Sequence, residues 1–184
     1  MVPKIDFYLI ETLFEQKPKG QLDVILCDVD GVLFDNTHRL HHIVEDEAGG
    51  YKEDSDWPAF NAEVGGDTPM GMCKVIGKLA QVYTVIFLTA REQNMFQMST
   101  FVQAIKPFMP PGPRWFMQFR DVAEFPPKVP SHAYKRAMVD RMRAAGLNPV
   151  MAIDDSLDQV NMYKEAGIVA LRCHDPITEK NMTY

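Results

Sequence analysis

Short apolar, β-branched runs alternate along this chain with longer segments whose apolar residues recur at helical spacing. Leu22-Asp-Val-Ile-Leu-Cys27 reads as a strand. It delivers Asp28-Val-Asp30-Gly31-Val32, two carboxylates followed by a glycine where extended structure should stop. Tyr83–Thr89 reads as a second strand, ending in Thr89-Ala90-Arg91, and Trp115–Phe119 as a third. Val150–Ile153 is a fourth, terminating at Asp154-Asp155, and Ile168–Leu171 a short last one. Between them the spacing predicts helices over 72–82, 93–106, 132–145 and 157–166, the last two closed by Gly146 and Gly167. Prolines in Pro107–Pro113 stop the second of these helices, and Pro126, Pro127 and Pro130 make 120–130 a loop. Ile5, Leu9, Ile10, Leu13 and Phe14 suit an amphipathic helix packed on the domain, and 34–69 is a polar, irregular insert. Strands alternating with helices predict an α/β fold, a parallel sheet covered on both faces.

At 184 residues the chain is expected to form a single domain, residues 1–184, with a sizeable core. A formal charge of −6 argues against broad, nonspecific adhesion to nucleic acid or an anionic membrane. Cys27, Cys73 and Cys173 form neither a zinc-type pair nor a disulfide framework, which points to a reducing cytoplasm. Cys27 is expected in the core. The first twenty residues contain acids and no long apolar run, and read neither as a signal peptide nor as a membrane span.

The chemistry lies where the strands end. Residues i and i+2 of a strand face the same side, so Asp28 and Asp30 would point together if extended geometry continued. Aligned carboxylates repel unless a cation or a shared proton intervenes, which makes a hard divalent metal the natural inference. Three strand ends supply Asp28/Asp30, Thr89/Arg91 and Asp154/Asp155, and Lys135 near the start of a helix adds a cation. Open α/β sheets place ligands at this edge. Metal-assisted phosphoryl transfer has a use for each type: a carboxylate nucleophile, a second carboxylate to handle protons, a hydroxyl and a lysine for phosphoryl oxygens, and further acids for the metal.

The ordered set Asp28-Val-Asp30-Gly31-Val32, Leu88-Thr89-Ala90-Arg91, Lys135 and Ile153-Asp154-Asp155-Ser156 resembles the haloacid dehalogenase superfamily over about residues 22–172. A narrower likeness runs through Asp35-Asn-Thr-His38-Arg39, Asp56-Trp57-Pro-Ala-Phe60, Thr89-Ala-Arg91-Glu92, Met117-Gln-Phe-Arg120 and Tyr134-Lys135-Arg136. These segments are similar to the phosphatase domain of bacteriophage polynucleotide kinase and its stand-alone relatives. The resemblance implies a Rossmann-like fold with a small flap after the first strand. It also implies a magnesium-dependent phosphomonoesterase acting through an aspartyl-phosphate on a terminal phosphate, typically 3′, of a nucleotide or polynucleotide. By the same likeness Asp28 is the nucleophile and Asp30 the general acid/base. Asp28, the Asp30 backbone carbonyl, Asp154 and Asp155 would hold Mg2+, while Thr89, Ala90, Arg91, Arg120 and Lys135 would bind substrate. The pattern departs at Val32, where the family usually has Thr, and the chain contains no GxxxxGK[ST] phosphate loop.

Plainer roles compete with these. Strand-end aspartates also cap turns and helices, and Arg91 and Arg120 could pair with Glu92 and Asp121. Lys128 and Arg136 rival Lys135 as the site's cation, and a solvated surface position is the plain alternative for Lys135. His38, His41 and His42 sit in a polar insert with no separate ligand set beside them, and a solvated flap is expected. Trp57 and Phe60 suit anchoring of that insert more than stacking on a base, and Met95, Met98, Met109 and Met117 read as packing material. Alternative functions are a phosphatase for mononucleotides or small phosphorylated metabolites, a noncatalytic nucleic-acid-binding or assembly module, and a phosphotransferase.

Overall fold

The computed structural model of the chain describes residues 9–15, 20–44 and 55–173. Among the described residues, seven strands and six α-helices run in the order α1 (Ile10–Glu15), β1 (Leu22–Cys27), β2 (Phe34–Asp35), α2 (Trp57–Ala62), β3 (Thr68–Pro69), α3 (Met72–Leu79), β4 (Thr84–Glu92), α4 (Met95–Ile105), β5 (Trp115–Arg120), α5 (Ser131–Ala144), β6 (Leu147–Asp154), α6 (Leu157–Glu165) and β7 (Val169–Arg172). The main sheet has the order β5-β4-β1-β6-β7, and every pairing in it is parallel. The α/β architecture read from the sequence is therefore present, and the Ile5 end of the expected first helix lies outside the described residues.

Both faces of the sheet are buried, which is why its strands read as near-continuous apolar runs. Side-chain alternation splits each strand between two cores. Ile25 and Cys27 of β1, Val85 and Phe87 of β4, and Trp115, Met117 and Phe119 of β5 pack with Ile76 of α3 and Phe101, Val102 and Ile105 of α4. Val24, Leu26, Ile86, Leu88 and Phe116 pack on the opposite face with Ile10 and Leu13 of α1, Met138 and Met142 of α5, and Met162 and Tyr163 of α6. Cys27 is fully buried, as expected, and of the four methionines only Met95, 67% exposed on the first turn of α4, is not packing material.

Three boundaries differ from the sequence reading. β6 begins at Leu147, not Val150, because Pro149 is taken into the strand at an irregularity: Val24 pairs with Pro149 but Ile25 with Met151, so the missing N–H falls where the ladder slips. β4 runs on to Glu92, and its register with β5 shifts between Leu88 and Glu92, so Thr89, Ala90 and Arg91 stand outside the regular ladder. The insert has regular structure. Its two ends pair as β2 and β3, Phe34 opposite Pro69 and Asp35 opposite Thr68. Between them lie the 3₁₀ turn Thr37–His42, α2 and the 3₁₀ turn Val64–Gly66. Asp56 caps α2 by accepting from the Ala59 amide at 3.0 Å, with Pro58 in the first turn. Phe60 is buried and meets Trp57 edge-on at 5.7 Å, so this pair anchors the insert.

Gly77 on α3 sits where a Cβ would strike the carbonyl oxygen of Phe108. Gly77→Ala, despite a helix-propensity gain of about 1 kcal/mol, should therefore lower the unfolding free energy by about 1–3 kcal/mol. Urea denaturation followed by circular dichroism measures it, and a variant as stable as the parent would show that the helix moves aside freely.

Candidate active site

β1 ends at Cys27, and the chain turns at once. Asp28 N–H donates to the Ile153 carbonyl at 2.9 Å, and Gly31 adopts φ +71° with its amide on the Phe34 carbonyl at 3.0 Å. A Cβ on Gly31 would run into the Asp155 carboxylate, so glycine is required both for the turn and for the approach of that acid. Because extended geometry stops here, Asp28 and Asp30 do not share one environment. The structure sorts the strand-end acids into two adjoining groups.

The first group holds Asp28, Asp154 and Asp155, each offering a carboxylate oxygen, with those oxygens all within 4.8 Å of one another. Lys135, on the first turns of α5, is buried and places Nζ 2.8 Å from Asp28 Oδ1 and 2.8 Å from Asp154 Oδ2. The second oxygen of Asp154 accepts from the Ser156 amide at 3.1 Å. Burial pushes the Asp28 carboxyl well above its ordinary range. Lys135 pulls it back, and Asp154 and Asp155 push it further up. Burial and the Asp154 charge push Asp155 up to about 7. Burial alone would lower the Lys135 pKa, but Asp154 and Asp28 outweigh it and hold the ammonium charged.

The second group joins Asp30 and Arg91, both singled out in the sequence, to Arg39 and Asp67 of the insert. Asp30 faces Arg91 and Arg39, and both arginines also hold Asp67, which follows the insert's second 3₁₀ turn. Arg91 grips Asp30 through Nε at 2.9 Å and Nη2 at 2.8 Å. Arg39 grips Asp67 through Nε at 2.7 Å and Nη2 at 2.8 Å and also reaches Asp30. The Arg39 side chain is wholly buried, its guanidinium 3.9 Å from the centre of the Phe60 ring. Burial would push the Asp30 carboxyl up, yet Arg91 and Arg39 outweigh it and hold the group far below the usual carboxylate range. Arg91 thus pairs inward with Asp30 and Asp67, not with Glu92.

Thr89 is buried, and its Oγ accepts from the Arg91 amide at 3.2 Å, while Ala90 between them is half-buried. Arg120 goes elsewhere. It donates to the Val129 carbonyl at 3.1 Å, lies 5.1 Å from the Tyr134 ring, and makes no ion pair with these acids among the described residues. The signal that pointed to Arg39 was its place in the segment Asp35–Arg39, and Asp67 carried none.

The residues present fit a hard divalent cation. Asp28, Asp154, Asp155, Asp30 and Asp67 face Lys135, Arg39 and Arg91, which leaves two negative charges uncompensated when all are ionised. The all-oxygen donor set of the first group is what magnesium takes. Beside Arg91 and Asp67 a cleft of about 410 Å³ opens between the Val64–Gly66 turn and α4, lined by Phe34, Val64, Thr100 and Gln103.

The structure matches a chain of the Pnkp1/Rnl/Hen1 RNA repair complex with TM-score 0.59 at 16% identity, covering 84% of this chain and 43% of that one. It matches a haloacid dehalogenase-like family hydrolase from Streptococcus pneumoniae at 0.55 and 12% identity, over 87% and 90% of the two chains. A class C acid phosphatase from Bacillus anthracis with tungstate bound follows at 0.50 and 12%, over 91% and 72%. The chain spans less than half the length of the RNA-repair chain it matches. No family model and no curated protein sequence matches it. The fold is that of haloacid dehalogenase-like hydrolases.

Arg39→Met should cost about 3–5 kcal/mol of stability, because it leaves buried carboxylates short of a partner. In that background Asp67→Asn should cost far less than it does alone. A double-mutant cycle by urea denaturation measures the coupling, and additive losses would show that the two side chains do not act as a pair.

Proposed function

We propose that this protein is a magnesium-dependent phosphomonoesterase that removes a terminal phosphate, 3′ by preference, from a nucleotide or nucleic-acid end through an aspartyl-phosphate. The observation that carries the reading is the meeting of Asp28, Asp154 and Asp155 at one point of the sheet edge, with Lys135 fixed between two of them. Magnesium, held by Asp28, Asp154, Asp155 and the Asp30 carbonyl, would offset phosphate charge and keep Asp28 ionised.

Lys135 pairs with Asp28 Oδ1, and in the proposed reaction an oxygen of the Asp28 carboxylate attacks phosphorus. The new bond is Asp28 O–P; the bond that breaks joins phosphorus to the ester oxygen of the substrate, which leaves with a proton. Thr89 and Lys135 would hold phosphoryl oxygens. Asp30 in its arginine cage is ionised, the state needed to take a proton from water attacking the aspartyl-phosphate, as the Asp28 O–P bond breaks and inorganic phosphate leaves. For the first step Asp30 must carry that proton. A substrate phosphate drawing Arg91 and Arg39 toward itself would remove the two charges that hold Asp30 ionised, so binding itself would arm the acid. Arg120, turned toward Val129 and Tyr134, is assigned at most a contact with the substrate beyond its phosphate.

The nucleotide side of the proposal draws support from the cleft beside Arg91, which exceeds the needs of a bare phosphate, and from the fold match to a chain of an RNA repair complex. The same cleft also admits small esters. Phosphate release from a 3′-phosphorylated oligonucleotide, its 5′-phosphorylated counterpart, a mononucleotide and a sugar phosphate, with and without magnesium, separates the substrates. Release is expected to be fastest from the 3′ end and to need the metal. Asp28→Asn should lower turnover by at least about 10⁴-fold while leaving the fold intact; ordinary activity would remove Asp28 as nucleophile.

Magnesium binding should also release protons. With Asp155 near 7 and Asp28 raised as well, the metal-free cluster holds protons at pH 6.5 that a divalent ion must displace. Calorimetry at pH 6.5 in buffers of different ionisation enthalpy should report proton release that shrinks by pH 8.5. Release that is nil at both values would place the metal elsewhere.

A further inference from the structure

His41 and His42 were expected to be solvated because the sequence places no third ligand near them. The fold supplies one. Both close the 3₁₀ turn Thr37–His42, and Glu63, at the end of α2, comes across to meet them. His42 Nε2 lies 3.1 Å from Glu63 Oε1, and one donor atom from each of the three residues lies within 4.8 Å of the others. Adjacent helical residues ordinarily diverge, yet these two rings are brought together, their centroids 3.9 Å apart at an interplanar angle of 41°. Donor atoms around a tetrahedral ion with bonds of about 2.1 Å stand roughly 3.4 Å apart, so small rotations close the set.

From this geometry we infer that His41, His42 and Glu63 form a second metal site, selective for zinc or a similar borderline transition ion, with water in the fourth position. Two imidazoles and one carboxylate suit zinc, whereas the three aspartates at the sheet edge suit magnesium, so ligand chemistry keeps the two ions apart. The outer supports are also present. His41 Nδ1 donates to the His38 carbonyl at 3.0 Å, which orients its ring, and His38 Nε2 donates to the Glu63 carbonyl at 3.2 Å, which holds the segment that bears the carboxylate. His41 and Glu63 are exposed and His42 is half-buried, so the ion enters from solvent.

The site would act as a brace. It ties the turn carrying Arg39 to the segment that leads, through Val64–Gly66, to Asp67. Zinc would thereby stiffen the arginine cage without touching substrate, and this role holds whatever the enzyme hydrolyses.

Calorimetric titration of the full chain with zinc, in excess magnesium to fill the aspartate site, should show one zinc equivalent. His42→Ala should weaken it by at least about 100-fold and Glu63→Gln by about 10-fold, with the magnesium affinity of both unchanged. Cobalt(II) should give the visible absorption of a nitrogen-ligated four-coordinate ion, lost in His42→Ala. Zinc should raise the melting temperature of the parent and leave that of His42→Ala unmoved. If His42→Ala does not fold, His41→Gln takes its place in each comparison. Zinc affinity or a cobalt spectrum that these substitutions leave unchanged, or zinc binding weaker than about millimolar, would overturn the site.

Discussion

Everything at the sheet edge answers one electrostatic demand: four carboxylates from the ends of parallel strands, joined by Asp67 of the insert, must be compensated out of bulk water. Two fixed arrangements share the load. A single ammonium, Lys135, stands between Asp28 and Asp154, and two guanidiniums, Arg39 and Arg91, interlock with Asp30 and Asp67. Point charge and planar fork are used differently. The lysine serves acids that also need room for a metal, while the arginines saturate a pair of acids in bidentate fashion. The residual two negative charges fall on the side where Asp155 and Asp28 are pushed up, which is where a divalent ion has the most to gain.

Much of this was legible in the sequence, for a physical reason. Residues at the C-terminal ends of buried strands are announced by the apolar runs that precede them, so Asp28, Thr89, Arg91 and Asp154-Asp155 could be located by strand pattern alone. Lys135 was noted near the start of the helix that follows the third strand, but its position alone did not separate it from Lys128 and Arg136. Asp30 was located but misjudged in its surroundings. The parity argument that paired it with Asp28 assumed extended backbone, and the strand had already ended at Cys27. Arg39 and Asp67 lie 28 residues apart, on opposite arms of an insert that shows no simple period. A contact of that kind leaves no local trace, because neither residue sits on a face whose spacing predicts it. Glu63 escaped notice for the same reason.

Pro149 and the shift after Leu88 illustrate a related point. In both cases the strand continues through a place where local rules say it should stop, and the neighbouring strand absorbs the fault. Beyond Leu88 the regular ladder lapses, and Arg91 on that stretch pairs with Asp30 and Asp67.

The short clasp between β2 and β3 gives the insert a character of its own. Because Phe34–Asp35 and Thr68–Pro69 close on each other, the chain leaves and re-enters the main body through a single narrow neck. Residues can be added or lost within the excursion at small entropic cost and without disturbing the register of the five-stranded sheet. Yet the excursion owns Arg39 and Asp67. A change in the excursion that moves Arg39 would therefore shift the proton affinity of Asp30, an aspartate anchored in the five-stranded body.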